Sequence, residues 1–500
     1  MNFLLVIADQ LAARSLPAYG NRVVKTPHLD RLADEGVVFE SAYCSSPLCA
    51  PSRASFITGS LPSHIGVYDN GAELPASVPT IAHYLRAKGY RTSLAGKMHF
   101  IGPDQLHGFE ERLTPDIYPA GMHWIPDWNA PLSEHKPWYH DMSSVFEARI
   151  SEGSLQMDYD EEVASKSIRA ISDLAVGDRP FLLVASFSHP HDPWEVPAAY
   201  WDIYKDASIE APSVPAIADD ALDPHSRRIR EMCGGIGVDV SVDVLLRARR
   251  GHYAAISYVD DKLGLLMQAL EVAGLRDETV VIFAADHGEM LGERGLWYKM
   301  TFFEPSAAVP LIMSAPGTFG PRRVSSNVSL LDLVPTLADL AGVNVARGEL
   351  DGASLVPLLG GDGALGDTVV GEYLAEGALA PLVMIRRGHM KFIASPGDPD
   401  QLFDVAADPH ELINLATKPE HTREAHALRE EIAVRWDLGD LREKVVASQR
   451  RRQLIAGALS VGAQPDWDYR TADDTGERYV RGADFWAAFK RARLRRPSSD

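Results

Sequence analysis

The sequence predicts an α/β fold in which a large mixed, mostly parallel sheet is sandwiched by helices. Apolar runs at 3–8, 181–187 and 280–285 each lead into polar residues. Continuous apolar strands are typical of a sheet covered on both faces, and functional groups gather at the carboxyl ends of such strands. Elsewhere apolar residues recur every three to four positions and predict helices at 27–36, 79–88, 160–175 and 252–273.

A change of pattern near residue 365 predicts a second, smaller unit. After the turn-rich segment 360–363 come short strand patterns and one charged helical pattern, at 368–375, 381–386, 389–394 and 418–437. We therefore expect a main domain over 1–365, an α+β subdomain over 366–460 and a tail over 461–500. The tail carries more aromatic surface than a disordered segment normally does, so we expect it to pack against a protein surface.

The charge and the cysteine content exclude some classes of function. Among the 500 residues, 69 Asp and Glu outnumber 49 Lys and Arg, and the net charge is −20. No segment is basic enough to neutralise a phosphate backbone, so we expect no nucleic-acid partner. The first apolar run is too short to span a bilayer and lacks a basic n-region, so we expect no membrane association. Only three cysteines occur, which is typical of a reducing compartment, and we expect a cytoplasmic protein.

The segment 47–59, with the sequence PLCAPSRASFITG, is the strongest functional signal. It matches, residue for residue, the signature of the type I, formylglycine-dependent sulfatases of the alkaline phosphatase superfamily, and the chain resembles that family. The resemblance implies that a formylglycine-generating enzyme oxidises Cys49 to an aldehyde. The alternative, a buried free thiol near a proline turn, suits Cys44 and Cys233 better than Cys49.

The chemistry of a hydrated aldehyde explains why such a residue is built. One of its two hydroxyls attacks sulfur, and the second later expels sulfate by collapsing back to the aldehyde. A serine ester would have to be cleaved by water instead. The resemblance implies that Arg53, one helical turn along from Cys49, holds the diol as a fixed cation.

A second segment, 89–99 with the sequence GYRTSLAGKMH, resembles the second signature of the same family. By this resemblance, Lys97 and His99 face the diol and the sulfate. His191 is our candidate for the acid that protonates the departing alcohol, with Lys299 bracing the sulfate oxygens. We expect His189 to be structural.

The resemblance also implies a divalent metal held by hard ligands. Asp9, Asp286 and His287 stand at predicted strand ends, and with the modified Cys49 they make a four-ligand set. The commonest sulfatases have Asp-Asp and Asp-Asn at these places, whereas this chain has Asp9-Gln10 and Asp286-His287. We therefore expect Gln10 beside the ligands and not among them. Calcium is the expected ion, and manganese or magnesium would suit the same ligands.

The Asp-Gln and Asp-His variants resemble the branch of the family that contains choline-sulfatases and phosphonate monoester hydrolases. The likeness to choline-sulfatases runs from residue 3 to about residue 481 and is clearest at 96–114, 116–119, 138–140 and 371–377. A trimethylammonium group has no N–H to donate, so only aromatic faces and carboxylates can hold it. The resemblance implies choline sulfate as substrate and a pocket of five residues, with Trp124 and His140 flanking the cation, Glu376 and Asp474 balancing its charge, and Asn70 touching the sulfate.

In choline-sulfatases the C-terminal tail closes the site of a neighbouring subunit, and residues 467–469 and 479–481 resemble that tail. The resemblance therefore implies a homo-oligomer, either a dimer or a tetramer. It would also explain the aromatic residues of the tail.

Two other interpretations stay open at this point. Tetrahedral phosphorus fits the same kind of pocket, so the chain could be a phosphonate or phosphate ester hydrolase, or a sulfatase for another alkyl or aryl ester. If Cys49 stays a thiol, the chain could instead be a binding protein for sulfated or quaternary ammonium compounds. The intact Pro51 and Arg53 speak against the second interpretation, because a binding protein does not need the maturation motif.

Overall fold

The computed structural model describes residues 1–131, 140–346, 348–361, 365–463 and 465–471. Fifteen strands form within these ranges: β1 (Asn2–Ala8), β2 (Val37–Tyr43), β3 (Arg91–Gly96), β4 (Glu111–Arg112), β5 (Arg149–Ile150), β6 (Phe181–Ser186), β7 (Glu195–Val196), β8 (Thr279–Ala285), β9 (Ala308–Val309), β10 (Leu311–Ser314), β11 (Arg322–Ser329), β12 (Thr368–Tyr373), β13 (Leu382–Arg387), β14 (Met390–Ala394) and β15 (Gln401–Asp404).

The main sheet has nine strands, eight of them in the order β11-β2-β10-β8-β1-β6-β3-β4, while β9 pairs with β2. Strand β1 runs parallel to both of its neighbours, β6 and β8. Strand β10 is antiparallel to β8 and β2, so the sheet is mixed but mostly parallel. Every residue of β1 and β8 is buried, which means that both faces of the sheet are covered. The predicted fold class is confirmed.

Fourteen α-helices lie in the described ranges: α1 (Pro27–Glu35), α2 (Cys49–Thr58), α3 (Pro62–Ile65), α4 (Ile81–Ala87), α5 (Ser143–Phe146), α6 (Leu155–Leu174), α7 (Ala198–Trp201), α8 (Pro224–Met232), α9 (Val242–Val272), α10 (Glu304–Ala307), α11 (Leu333–Leu340), α12 (Val356–Gly360), α13 (Thr422–Arg435) and α14 (Leu438–Leu459). Helices α1 and α6 pack against α9, while α2 and α4 pack against α11. None of the helices in these ranges is long and apolar enough to cross a membrane.

The start of α9 differs from the prediction because its first turns stand in solvent. The apolar period predicts a start near residue 252, yet the helix begins at Val242, which is 67% exposed. Its start is set by a cap, since the Ser241 hydroxyl accepts a hydrogen bond from the Val244 N–H. An apolar period becomes visible only where a helix meets the core.

The C-terminal part contains the antiparallel sheet β12-β13-β14-β15. Strands β13 and β14, which correspond to the predicted strands at 381–386 and 389–394, form a hairpin with Arg387 opposite Met390. Helix α14 was not predicted from the sequence. Its buried face carries Gln449 and Arg452 beside Leu441 and Val445, and these polar residues hide the apolar period.

The topology brings the predicted polar residues to one edge of the main sheet. Asp9 follows β1, Lys97 follows β3 and Asp286 follows β8. Because β1 lies between β6 and β8, and β6 pairs with β3, the carboxyl ends of these parallel strands are neighbours. Helix α2, which begins at Cys49, packs against α11 and α4.

Candidate active site

Cys49 is the first residue of α2, and every residue of this helix is buried. The side-chain oxygen of Asn70 accepts a hydrogen bond of 2.9 Å from the Ala50 N–H, so it satisfies one of the free donors of the first turn. The Ser52 hydroxyl donates to the backbone oxygen of Asp286 at 2.5 Å. These two bonds tie the start of the helix to the end of β8 and hold Cys49 there.

Cationic side chains surround the Cys49 thiol. Burial raises its pKa, but Lys299, Lys97 and His287 together bring the pKa of the thiol well below its ordinary value. The sulfur lies 3.2 Å from His287 Nε2. The site is therefore built to stabilise negative charge at the position of this side chain.

Asp9, Cys49, Asp286 and His287 meet in one buried group that can hold a metal ion. Each offers a ligand atom, and these atoms all lie within 4.8 Å of one another. His287 Nε2 is 3.8 Å from Asp9 Oδ1 and 3.7 Å from Asp286 Oδ2. Burial lowers the pKa of His287, yet Asp286 and Cys49 raise it overall. The group thus carries an excess of negative charge, and its oxygens and imidazole suit a divalent cation.

Arg53 is completely buried between the two carboxylates of this group. Its Nε donates to Asp286 Oδ2 at 2.8 Å, and its Nη2 lies 3.7 Å from Asp9 Oδ2. Its Nη1 donates to the Lys97 backbone oxygen at 2.6 Å and to Ser186 Oγ at 2.8 Å. The guanidinium therefore braces the ligand carboxylates and the ends of β3 and β6 at once.

Lys97 donates a hydrogen bond to Asp9, and its ammonium lies 4.4 Å from the centre of the Tyr118 ring. Burial raises the pKa of the Asp9 carboxyl, but Lys97, His191 and Arg53 together outweigh burial, and the pKa lies below its ordinary value. Asp9 therefore stays ionised as a ligand must, and Lys97 reaches the group from the end of β3.

His99 forms an aromatic corner with two other rings. Its ring centre is 5.1 Å from that of Tyr118 and 5.3 Å from that of Trp124. Its backbone takes a φ of 60°, and Asp116 Oδ2 accepts the N–H groups of Met98 and His99 at 2.9 Å each. Burial lowers the pKa of His99, so the ring is neutral near pH 7.

His191 and Lys299 form a contact pair, with 3.0 Å between His191 Nε2 and Lys299 Nζ. His191 Nδ1 lies 2.6 Å from the Asp192 backbone oxygen, which can only accept, so Nδ1 carries the hydrogen and Nε2 faces the lysine. His140 stacks on Tyr298 at 4.3 Å and lies 5.5 Å from the His191 ring. Burial lowers the pKa of His140 to about 4, so its ring is neutral.

Gln10, which was expected beside the ligands, joins this pair to the metal-binding group together with two residues that were not predicted, Glu289 and Asp192. Gln10, which takes a φ of 64°, donates its backbone N–H to Asp286 Oδ1 at 3.1 Å. Its side chain contacts Glu289, Asp192 and Lys299. Glu289 follows His287 by two positions, but no residue pattern marks it. Asp192 lies in the segment around His191, and Asp116 in a stretch noted only for its likeness to choline-sulfatases.

The remaining predicted residues lie at different places around this cluster. Trp124 contacts His99, and Asn70 touches the start of α2. Glu376 is 2% exposed, and its backbone oxygen accepts from the Tyr373 hydroxyl at 2.7 Å. Asp474, like Trp138 and Tyr139, lies outside the described residues. The His189 side chain is turned to Asp160, with 2.7 Å between its Nδ1 and Asp160 Oδ2, and the His189 backbone oxygen accepts the Asp9 N–H at 3.2 Å.

Three known protein families match most of the chain. Residues 1–343 match the sulfatase family, residues 292–436 match the family described as N-sulphoglucosamine sulphohydrolase, C-terminal, and residues 443–491 match the family described as choline sulfatase enzyme C terminal. A choline-sulfatase of Rhizobium meliloti (strain 1021) is 45% identical over 490 residues, which cover 96% of this chain and 95% of that protein. An arylsulfatase of Clostridium perfringens is 29% identical over 455 residues, which cover 86% of this chain and 92% of that protein.

Among solved structures, the phosphonate monoester hydrolase of Agrobacterium radiobacter superimposes with a TM-score of 0.69 at 26% identity, over 89% of this chain and 96% of that one. A phosphonate monoester hydrolase from Silicibacter pomeroyi has the same fold, with a TM-score of 0.70 at 24% identity over 87% of this chain and 94% of its own. The family matches include Cys49 with its signature and residues 443–459 of α14. The chain therefore belongs to the sulfatase family and is a choline-sulfatase-like sulfuric ester hydrolase.

Proposed function

We propose that the protein hydrolyses choline O-sulfate to choline and sulfate. The observation that carries the proposal is the position of Cys49, at the start of a buried helix and in contact with two carboxylates and an imidazole that can hold a metal. The identity of 45% with a choline-sulfatase over nearly the whole chain supports the choice of ester.

The nucleophile of this proposal is formylglycine made from Cys49 by a formylglycine-generating enzyme. Its hydrated form attacks sulfur through one hydroxyl, and the other hydroxyl loses its proton as the C–O bond to sulfate breaks and the aldehyde re-forms. A divalent ion held by Asp9, Asp286 and His287 together with residue 49 would polarise the ester and favour ionisation of the diol. Calcium is the ion that we propose, because the carboxylate oxygens are hard ligands.

The residues around this centre divide into those that hold the sulfate and those that serve the leaving group. Lys97 and His99 flank residue 49 from the end of β3, and Arg53 braces the ligand carboxylates. Choline leaves as an alkoxide, which is a poor leaving group, so it must receive a proton. We assign this step to His191, whose Nε2 lies 3.0 Å from the Lys299 ammonium and can take from it the proton that it passes to the alkoxide. Lys299 also braces the sulfate oxygens.

The cation of choline would be held by aromatic faces and carboxylates, since it cannot donate a hydrogen bond. We propose Trp124 and His140 as the aromatic walls, and Glu376 and Asp474 as the countercharges. His140 suits this role because its ring is neutral and held flat against Tyr298. We propose that Asn70, whose side-chain oxygen accepts the Ala50 N–H beside residue 49, also touches the sulfate through its amide.

The organisation of the whole protein is part of the proposal. Residues 1–365 form the catalytic domain, 366–460 the subdomain with the small sheet, and 461–500 a tail that packs on a neighbouring subunit in a homo-oligomer. The described start of that tail already touches the main domain, where Asp468 Oδ1 accepts the Ala120 N–H at 2.7 Å. None of the three cysteines forms a disulfide, which is consistent with a cytoplasmic location.

Mass spectrometry and a substrate panel test this function. The peptide that contains residue 49 should have a lower mass than the cysteine form after co-expression with a formylglycine-generating enzyme. The matured protein should hydrolyse choline sulfate, and Glu376→Gln should lose this activity while it keeps that on an uncharged aryl sulfate. Equal losses of activity on both esters would argue against the cation pocket. Full activity of a protein in which Cys49 is still a thiol would refute formylglycine as the nucleophile.

A second candidate function is hydrolysis of phosphonate monoesters, because two structures of such enzymes share the fold, one of them at 26% identity. A phenyl phosphonate ester in the same panel separates the two functions. If its kcat/KM exceeds that of choline sulfate, the phosphonate function replaces the one proposed above.

A further inference from the structure

The side-chain amide of Gln10 lies between two carboxylates in the interior of the protein. Its Nε2 donates to Glu289 Oε2 at 2.5 Å and to Asp192 Oδ1 at 3.2 Å. Gln10 is 0% exposed, Glu289 2% and Asp192 7%. The Asp192 carboxylate accepts hydrogen bonds and the Lys299 ammonium only donates them, so the NH₂ end of the amide must face the two carboxylates and its oxygen must face Lys299.

Glu289 is itself held so that only one of its oxygens is left for Gln10. Its Oε1 accepts the N–H of Leu291 and the N–H of Tyr298, each at 2.7 Å. Backbone donors of the loop that leads to Lys299 therefore fix the orientation of the carboxylate. The outward-facing oxygen of the Gln10 amide accepts a hydrogen bond from the Lys299 ammonium.

We propose that Glu289 is a positioning residue that acts on Lys299 through Gln10. By fixing the direction of the amide, it presents a carbonyl oxygen to the ammonium and keeps Lys299 3.0 Å from His191 Nε2. This inference rests on the proposed function, in which His191 and Lys299 serve the leaving group and the sulfate.

The same arrangement accounts for glutamine at position 10, where the commonest members of the family have aspartate. A carboxylate there would face Glu289 and Asp192 with no donor between them, and like charges at hydrogen-bond distance repel in a buried site. A neutral amide supplies the donor that both carboxylates need. Glu289 and Gln10 should therefore behave as one unit under mutation.

The first test is Glu289→Gln, which keeps the size of the side chain and the acceptor for Leu291 and Tyr298. Those two N–H groups oblige the new amide to turn its oxygen towards them and its NH₂ towards Gln10. Gln10 must then turn its own oxygen towards residue 289, and Lys299 meets an NH₂ group. We expect kcat for choline sulfate to fall on the order of 10²-fold, as when one aligned group is lost from an active site, while KM changes much less.

The second test is the compensating variant Gln10→Glu with Glu289→Gln. Here the amide introduced at position 289 donates to one oxygen of residue 10, and the other oxygen accepts from Lys299, so the contact with Lys299 is kept. Asp192→Asn is added to both variants that are compared, because a carboxylate at position 10 would otherwise face Asp192 without a donor. We expect kcat to recover by about tenfold or more over Glu289→Gln, the mark of directly coupled residues. A role confined to loop structure predicts no such rescue, because Glu289→Gln retains both loop hydrogen bonds.

The third test repeats Glu289→Gln in a Lys299→Met background. There the substitution should lower kcat only slightly, because the lysine on which Glu289 acts is already missing. An undiminished loss in that background overturns the inference, and so does a double variant at positions 10 and 289 that is no more active than Glu289→Gln. If Glu289→Gln alone does not fold, recovered folding and turnover of the double variant support the inference, and their absence overturns it. Wild-type protein that cleaves no sulfate ester overturns the proposed function and this inference together, whereas active protein without coupling overturns this inference alone.

Discussion

Replacing Arg452 with methionine should weaken both the fold and the binding of substrate. Arg452 lies on α14 and makes two hydrogen bonds of 2.7 Å to the carboxylate of Asp69, with both side chains buried. Removing one partner of a buried ion pair costs about 3–5 kcal/mol, because the other charge is left without compensation. We therefore expect the free energy of unfolding to fall by about 3 kcal/mol or more, measured by urea denaturation.

The effect should reach the active site through a short path. Asp69 Oδ1 also accepts the Gly71 N–H at 3.0 Å, and Asn70 between them binds the first turn of α2. A Cβ atom at position 71 would lie 2.8 Å from the Trp124 backbone. The loop therefore packs closely against Trp124, one of the two aromatic residues proposed to hold the cation. A displacement of the loop should raise KM for choline sulfate on the order of tenfold and leave an uncharged aryl sulfate less affected.

Arg451→Met is the matched control, because Arg451 is the exposed neighbour of Arg452 on the same helix. It removes the same charge and should change the unfolding free energy by less than about 0.5 kcal/mol. Adding Asp69→Asn to Arg452→Met removes the stranded carboxylate and should return part of the lost stability. If Arg452→Met is as stable as Arg451→Met, or if KM rises equally for both esters, the reasoning about this ion pair is wrong.

Three further predictions concern the reacting centre. Cys49→Ser should abolish repeated turnover, because a serine sulfate has no second hydroxyl to expel the sulfate; sustained turnover by this variant would contradict the proposed nucleophile. Removal of divalent ions by a chelator should abolish hydrolysis and lower the melting temperature, because an ion that binds Asp9, Asp286 and His287 only in the folded protein no longer stabilises the fold; calcium should restore both, and an unchanged melting temperature would argue against a metal at this group. Asp116→Asn should lower kcat on the order of tenfold, because Asp116 holds the backbone of His99 in its positive-φ conformation. An unchanged kcat would show that the backbone keeps this conformation without Asp116.

Strand positions and the main sheet could be predicted because buried parallel strands are continuous apolar runs. The runs at 3–8 and 280–285 correspond to β1 and β8, and the polar residues after them do meet at one edge. Helix α14 could not be predicted in this way, because two of its buried residues, Arg452 and Gln449, are polar. Their hydrogen-bond partners lie far away in the sequence. Arg452 pairs with Asp69, and Gln449 accepts the Trp128 N–H at 3.0 Å. Periodicity detects apolar burial and does not detect polar burial that is compensated by a partner.

The sequence by itself determined the family and the group around Cys49, because the 47–59 signature and the strand-end residues are local patterns whose chemistry requires those residue types. Only the tertiary structure decided how these groups are held. Glu289, Asp192 and Gln10 lie on three separate segments, and the direction of the Gln10 amide follows from where the carboxylates meet it. Hydrogen-bond direction in a buried network depends on which donors and acceptors the fold brings together, and no single segment of the chain contains that information.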